Sequence, residues 1–135
     1  MAEETPQAPD ELRSEINRIT GKIVTCVYPV SNTPGSGFLE KIYGNALAFE
    51  LRQNGLKTEQ QYPIKVFYGN ELVGDFAADL LVDDRVVVEL KATRVLDDAH
   101  SAQCLNYLKA TGIPVCLLVN FGRPRVEIKR LILDR

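Results

Sequence analysis

Two carboxylates and an ammonium stand where a buried strand ordinarily carries no charge. Asp79 interrupts the apolar run AADLLV, and Glu89 and Lys91 close the run VVVELK. Val86, Val87 and Val88 are β-branched and continuous, the pattern of a strand buried on both faces. An ion in such a run costs several kcal/mol unless it is paired or bound to metal. Side chains alternate along a strand, so Glu89 and Lys91 share one face, and Asp79 shares its face with Ala77 and Leu81. If the loop is the three residues Asp83–Arg85, Val82 pairs with Val86 and Asp79 falls opposite Glu89. Their Cβ atoms would then lie roughly 5 Å apart on one side of the sheet. A two-residue loop would send the acids to opposite faces. Two carboxylates that close repel unless a cation sits between them, and oxygen ligands without Cys or His favour Mg²⁺ or Mn²⁺. Lys91 would then hold an attacking water or a growing negative charge. The same trio on a solvated hairpin is an ordinary ion-pair cluster, and these residues alone leave both readings open.

The elements that must position this trio follow from periodicity. Leu12, Ile16, Ile19, Ile23 and Val27 recur at helical spacing, and Pro29 is expected to end that helix, with Val30–Gly37 as a loop. Phe38–Gln53 reads as a second helix capped by Asn54-Gly55. Its Glu40 shares a stripe with Tyr43 and Leu47, and by position alone it is an acid favoured by the helix dipole. Gln60–Tyr68 and Glu71–Val82 read as strands joined by a Gly69-Asn70 turn, with Val86–Lys91 as the third. Asp97 or Asp98 caps a third helix that Gly112 and Pro114 terminate. On it His100, Gln103 and Tyr107 form a polar ridge, ordinarily a solvated face, from which an amide and a phenol would reach the acids. Pro114–Asn120 is a buried strand, and the charged Val126–Leu133 is an edge strand. The order α-α-β-β-β-α-β-β is that of an α/β protein, a mixed sheet with helices packed on it, in which Val86–Lys91 and Pro114–Asn120 run parallel through a right-handed crossover.

Composition narrows the class. A chain of 135 residues supports one domain, here 11–135, after a disordered head Met1–Asp10. No apolar run approaches a membrane span, and the acidic, Pro-containing start does not read as a signal peptide. Cys26, Cys104 and Cys116 form no CxxC and read as buried free thiols in a reducing cytoplasm. One histidine argues against zinc. A formal net charge of −2 argues against tight non-specific DNA binding, while leaving room for a local basic patch.

Gly37-Phe38-Leu39-Glu40-Lys41-Ile42-Tyr43 resembles the signature of the bacterial GxxExxY family. The resemblance continues through LRQNGLKTEQQYPIKVFY, FAADLLV, VVVELKA, HSAQCLNYLKATG and LLVNFG, covering about residues 35–133. The family usually carries Val-His and Leu-Gly-Pro-Gly ahead of the motif, where this chain has Val30-Ser31 and Pro34-Gly35-Ser36-Gly37. That family is placed in the PD-(D/E)XK nuclease-like superfamily, so the resemblance implies a restriction-endonuclease-like core. It also implies that Asp79, Glu89 and Lys91 are the D…ExK set, that Glu40 is the acid of the first core helix, and that Gln103 and Tyr107 are the QxxxY helix bordering the site.

The leading expectation is metal-dependent hydrolysis of nucleic-acid phosphodiesters, DNA or RNA. Mg²⁺ or Mn²⁺ would be held by Asp79, Glu89, the Leu90 carbonyl and Glu40. The alternative is a catalytically silent nuclease-fold module acting through a protein partner, which the acidic balance favours. A hydrolase of small phosphodiesters is a third reading. The last strand offers an edge through which two copies would form a homodimer.

Overall fold

The centre of the fold is β3 (Val86–Lys91) beside β4 (Val115–Asn120), because neither sequence offers water a polar face until its final residues. In the computed structural model, which describes residues 9–33 and 38–133, both strands are buried almost throughout. They pair in parallel, with Lys91 beside Asn120. β1 (Thr58–Tyr68) and β2 (Glu71–Val82) extend the sheet on one side and β5 (Glu127–Ile132) on the other, giving the order β1-β2-β3-β4-β5 with every other pairing antiparallel. Helices α1 (Pro9–Asn32) and α2 (Glu40–Gln53) cover one face, where Ile19, Ile23 and Leu47 meet Leu80, Val88 and Leu90. Helix α3 (Asp98–Thr111) covers the other, packing Cys104 and Leu108 on Val87, Cys116 and Leu118. This is the α/β order expected from the sequence, with the mixed sheet of a restriction-endonuclease-like core. Among the described residues no helix is long and apolar enough to cross a membrane.

The β2–β3 connection fixes the register. Val82 pairs with Val86 across Asp83–Arg85, so the three-residue loop is the one formed. Asp83 and Asp84 both take positive φ (49° and 58°), a conformation that short polar side chains tolerate. The strain is held by Lys57: its backbone N–H donates to Asp83 Oδ1 at 2.8 Å, and its carbonyl accepts from the Asp83 N–H at 2.8 Å.

Some boundaries differ from the sequence reading. Pro29 does not end α1, which runs on to Asn32. A proline inside a helix strips one hydrogen bond from the carbonyl four residues back, here Thr25. Thr25 and Pro29 are both exposed, so solvent can satisfy that carbonyl, while Cys26, Val27 and Val30 hold the other side of the turn in the core. Of the expected Val30–Gly37 loop, Val30–Asn32 is therefore helical and 34–37 lies outside the described residues, as do residues 1–8 of the expected head. Pro9 and Asp10 open α1, in a first turn that tolerates proline. β1 begins at Thr58, two residues earlier than expected. Cys26, Cys104 and Cys116 are free and buried, as read.

Candidate active site

The site begins where β2 parts from β3. Their last pair is Leu80 with Val88, and one residue further on Asp79 and Glu89 oppose each other. There the side chains replace the ladder: the Leu90 N–H donates to Asp79 Oδ2 at 2.7 Å, and the Asp79 N–H donates to Glu89 Oε1 at 3.0 Å. Each acid thus satisfies a backbone donor that the separating strands would orphan.

Strict alternation gave Asp79 the face of Ala77 and Leu81, and this is corrected by the packing. Ala78 and Leu81 both lie in the α3 layer, whereas Leu80 and Val82 lie under α1 and α2. The alternation therefore breaks at Asp79. Gln61, left between the pairs Gln60–Leu80 and Tyr62–Ala78, absorbs the break in β1 with φ of 53°. Asp79 stands on the resulting seam. It borders a cleft of about 410 Å³ with Glu40, Gly44, Gln61 and Leu90. Glu89 is only 3% exposed, and its charge acts on Tyr107 of α3.

Burial pushes the Asp79 carboxyl above its ordinary range, and the Glu40 charge adds to this against the opposing hydrogen bond from Leu90. Burial, then the Asp79 charge, pushes Glu89 up to about 8. The Lys91 ammonium draws both down, although among the described residues it forms no direct ion pair with either. Lys91 is half-buried at the end of β3, where its carbonyl accepts from the Phe121 N–H at 2.8 Å.

Glu40 reaches the cleft because α2 comes close to β3. A Cβ on Gly44, one turn after Glu40, would lie 3.2 Å from Leu90 Cδ1. The start of α2 is pinned by Tyr43, which is fully buried, stacks on Phe121 (centroids 4.5 Å apart, planes 4°) and accepts the Phe38 N–H at its hydroxyl (3.2 Å). On α3 the expected polar ridge divides. His100 closes a capping box with Asp97, each side chain bonding the other's backbone N–H at 3.2 Å. Gln103 Nε2 donates to Tyr107 Oη at 2.9 Å. Burial, then the Glu89 and Asp79 charges, pushes that phenol up to about 12, so it stays protonated.

Sequence reasoning missed Asn120. Fully buried beside Lys91, it accepts from the N–H groups of Thr93 (3.0 Å) and Gly122 (2.9 Å) and donates to the Thr93 carbonyl (2.8 Å) and Glu127 Oε1 (3.1 Å). It ties the segment leaving Lys91 to the end of β4. A Cβ on Gly122 would collide with the Thr93 backbone, so the two segments meet only because that residue is glycine. The available signal was a polar residue ending a wholly apolar strand, two residues before a glycine.

The family model of the PD-(D/E)XK nuclease superfamily matches residues 17–131, from within α1 to the end of β5. The chain belongs to this superfamily. No curated protein matches it. Among solved structures it is similar to the crystal structure of SSO0001, with a TM-score of 0.52 and 18% identity over 99% of this chain and 71% of that one. It is also similar to an alkaline exonuclease (LHK-Exo) from Laribacter hongkongensis, with a TM-score of 0.51 and 16% identity over 96% and 73%. At these identities the likeness is one of fold.

PD-(D/E)XK nucleases typically use divalent metals, and the donors present suit a hard cation: two carboxylates and a backbone carbonyl, both acids raised by burial and by neighbouring negative charge. Among the described residues no three His, Cys, Asp or Glu side chains are gathered tightly enough to ligate one ion. Glu40 lines the same cleft as Asp79, whereas Glu89 does not line it.

Proposed function

We propose that this protein hydrolyses nucleic-acid phosphodiester bonds with a divalent ion, Mg²⁺ or Mn²⁺, at a site formed by Asp79, Glu89 and Lys91. The observation that carries this reading is the reciprocal hold of Asp79 and Glu89 on each other's strands, with both carboxyls raised. Two orphaned N–H groups could be satisfied by neutral amide oxygens at a smaller desolvation cost. Two carboxylates that repel each other in a buried setting make chemical sense as a cation site.

Asp79, Glu89 and the Leu90 carbonyl would hold the ion, with Glu40 adding an oxygen directly or through water. Bound there, the ion supplies Lewis acidity and lowers the pKa of a coordinated water. Lys91 orients the attacking water and offsets charge growing on the phosphate oxygens. Because Gln103 donates to the phenol oxygen, the Tyr107 O–H is left to donate elsewhere, and a phosphate oxygen is a fitting acceptor. The same reading makes the chain a GxxExxY protein: Glu40 is the motif's acid at the cleft, Tyr43 its anchor in the core, and Gly37 lies outside the described residues.

The test is hydrolysis of labelled single- and double-stranded DNA and RNA, with small phosphodiesters in parallel, in Mg²⁺ or Mn²⁺. Cleavage should stop in EDTA and fall by about 100-fold or more in both Asp79→Ala and Lys91→Ala. Activity surviving in both variants would exclude this site. A folded protein inert on every substrate would leave the silent-module reading instead.

A further inference from the structure

The α3 side of the β1–β2 hairpin holds a cleft of about 900 Å³, of which the chemistry above uses only the Tyr107 hydroxyl and its Gln103 partner. Phe67 and Phe76 line it from the hairpin, Gln103 and Tyr107 from α3, and Lys65 and Lys109 stand at its sides. Phe76 is 48% exposed although it sits in the middle of a strand. Its ring is braced: a Cβ on Gly74 would lie 3.0 Å from it, and the Tyr107 ring centroid is 6.0 Å away. A half-exposed aromatic held in place by its neighbours is a stacking surface.

Charge selects the occupant. In a chain of net charge −2, this cleft is lined by two lysines and, among the described residues, by no carboxylate. Asp75 pairs with Lys65 in the ladder but forms no ion pair with it. Cations flanking aromatic faces suit unstacked bases on a phosphate backbone, whereas the bases of a duplex are stacked on each other and present no free face. Tyr107 joins this cleft to the proposed centre, since it lines the cleft and the Glu89 and Asp79 charges reach its phenol. The volume lies within the range of ligand sites and exceeds what one base needs.

We infer that the cleft between the β1–β2 hairpin and α3 binds single-stranded nucleic acid next to the scissile phosphate, with bases stacking on Phe76 and Phe67 and the backbone meeting Lys65 and Lys109. This rests on the nuclease reading and names its substrate class as a single strand or an unpaired end.

The experiment is fluorescence anisotropy in EDTA, using the Lys91→Ala protein so that nothing is cut, with a labelled mixed-sequence single strand and a blunt duplex hairpin. The single strand should bind more tightly. Phe76→Leu, which keeps apolar bulk without the flat ring, should weaken it about tenfold while changing duplex binding less than twofold. Replacing Lys65 and Lys109 together by Ala should lower the log–log salt slope by about 1.4. Equal losses on both ligands, or none, would overturn the inference, as would Phe76→Leu turning a dimer into a monomer at unchanged oligonucleotide affinity. Hydrolysis by the otherwise unaltered protein separates the two readings. Cutting with unaffected cleft variants sinks this inference alone, and selective single-strand binding without any cutting sinks the nuclease reading alone.

Discussion

A carboxylate that accepts a backbone N–H ordinarily titrates low, yet Asp79 and Glu89 both do so and both titrate high. Burial and negative neighbours outweigh the hydrogen bonds, and the sign of the consequence is fixed. Glu89 rises to about 8 in the folded chain from roughly 4.3 unfolded. Its contribution to stability is therefore complete below about pH 4 and lost as pH climbs through about 8. In EDTA the melting temperature should fall by several degrees between pH 5 and 8.5, and Glu89→Gln should flatten that fall. An unchanged profile in the variant would show that Glu89 is not the source. The opposition of these acids was legible because loop length fixes register, and Asp83–Arg85 is odd in number. The inversion at Asp79 was not legible, since a glutamine in mid-strand carries no sign of the positive φ that Gln61 adopts.

At the scale of elements, the site depends on how closely α2 lies on β3 and how firmly the exit from β3 is tied. Gly44→Val would press a branched side chain onto Leu90, where even a Cβ is tight. It should cost about 1–3 kcal/mol in urea unfolding and reduce hydrolysis by drawing Glu40 from the cleft. Asn120→Ala would remove four hydrogen bonds and leave the half-buried N–H groups of Thr93 and Gly122 without that partner. A loss of about 2–3 kcal/mol is expected, with a fall in kcat larger than in the binding of a single strand, because Lys91 loses its support. Equal falls in both would mean general loosening. Helix and strand order were readable from apolar spacing and from the Gly and Pro breaks. Pro29 misled because its cost falls on an exposed stretch, Thr25 and Pro29, while Cys26, Val27 and Val30 hold the same turns in the core.

Across the whole molecule, the sheet separates two kinds of surface. On the α2 side Asp79 and Glu40 share a cleft with Lys41, and on the α3 side two lysines and two phenylalanines line another without a carboxylate. A net charge of −2 sums over both and hides each, which is why composition argued against tight non-specific DNA binding yet left room for a local patch such as this two-lysine cleft. With two lysines meeting the backbone, binding should be weak and only moderately salt-dependent, with a log–log slope smaller than about 3 in magnitude. A steeper slope in a salt titration would point to a larger basic surface than this cleft.

The central claim is that Asp79 and Glu89 jointly hold the cation that serves hydrolysis. Anomalous diffraction from crystals soaked in Mn²⁺ addresses it directly. The expected result is one peak within about 2.3 Å of oxygens from both carboxylates. Its absence at saturating Mn²⁺, or a peak elsewhere while the protein still cleaves oligonucleotides, would contradict the account.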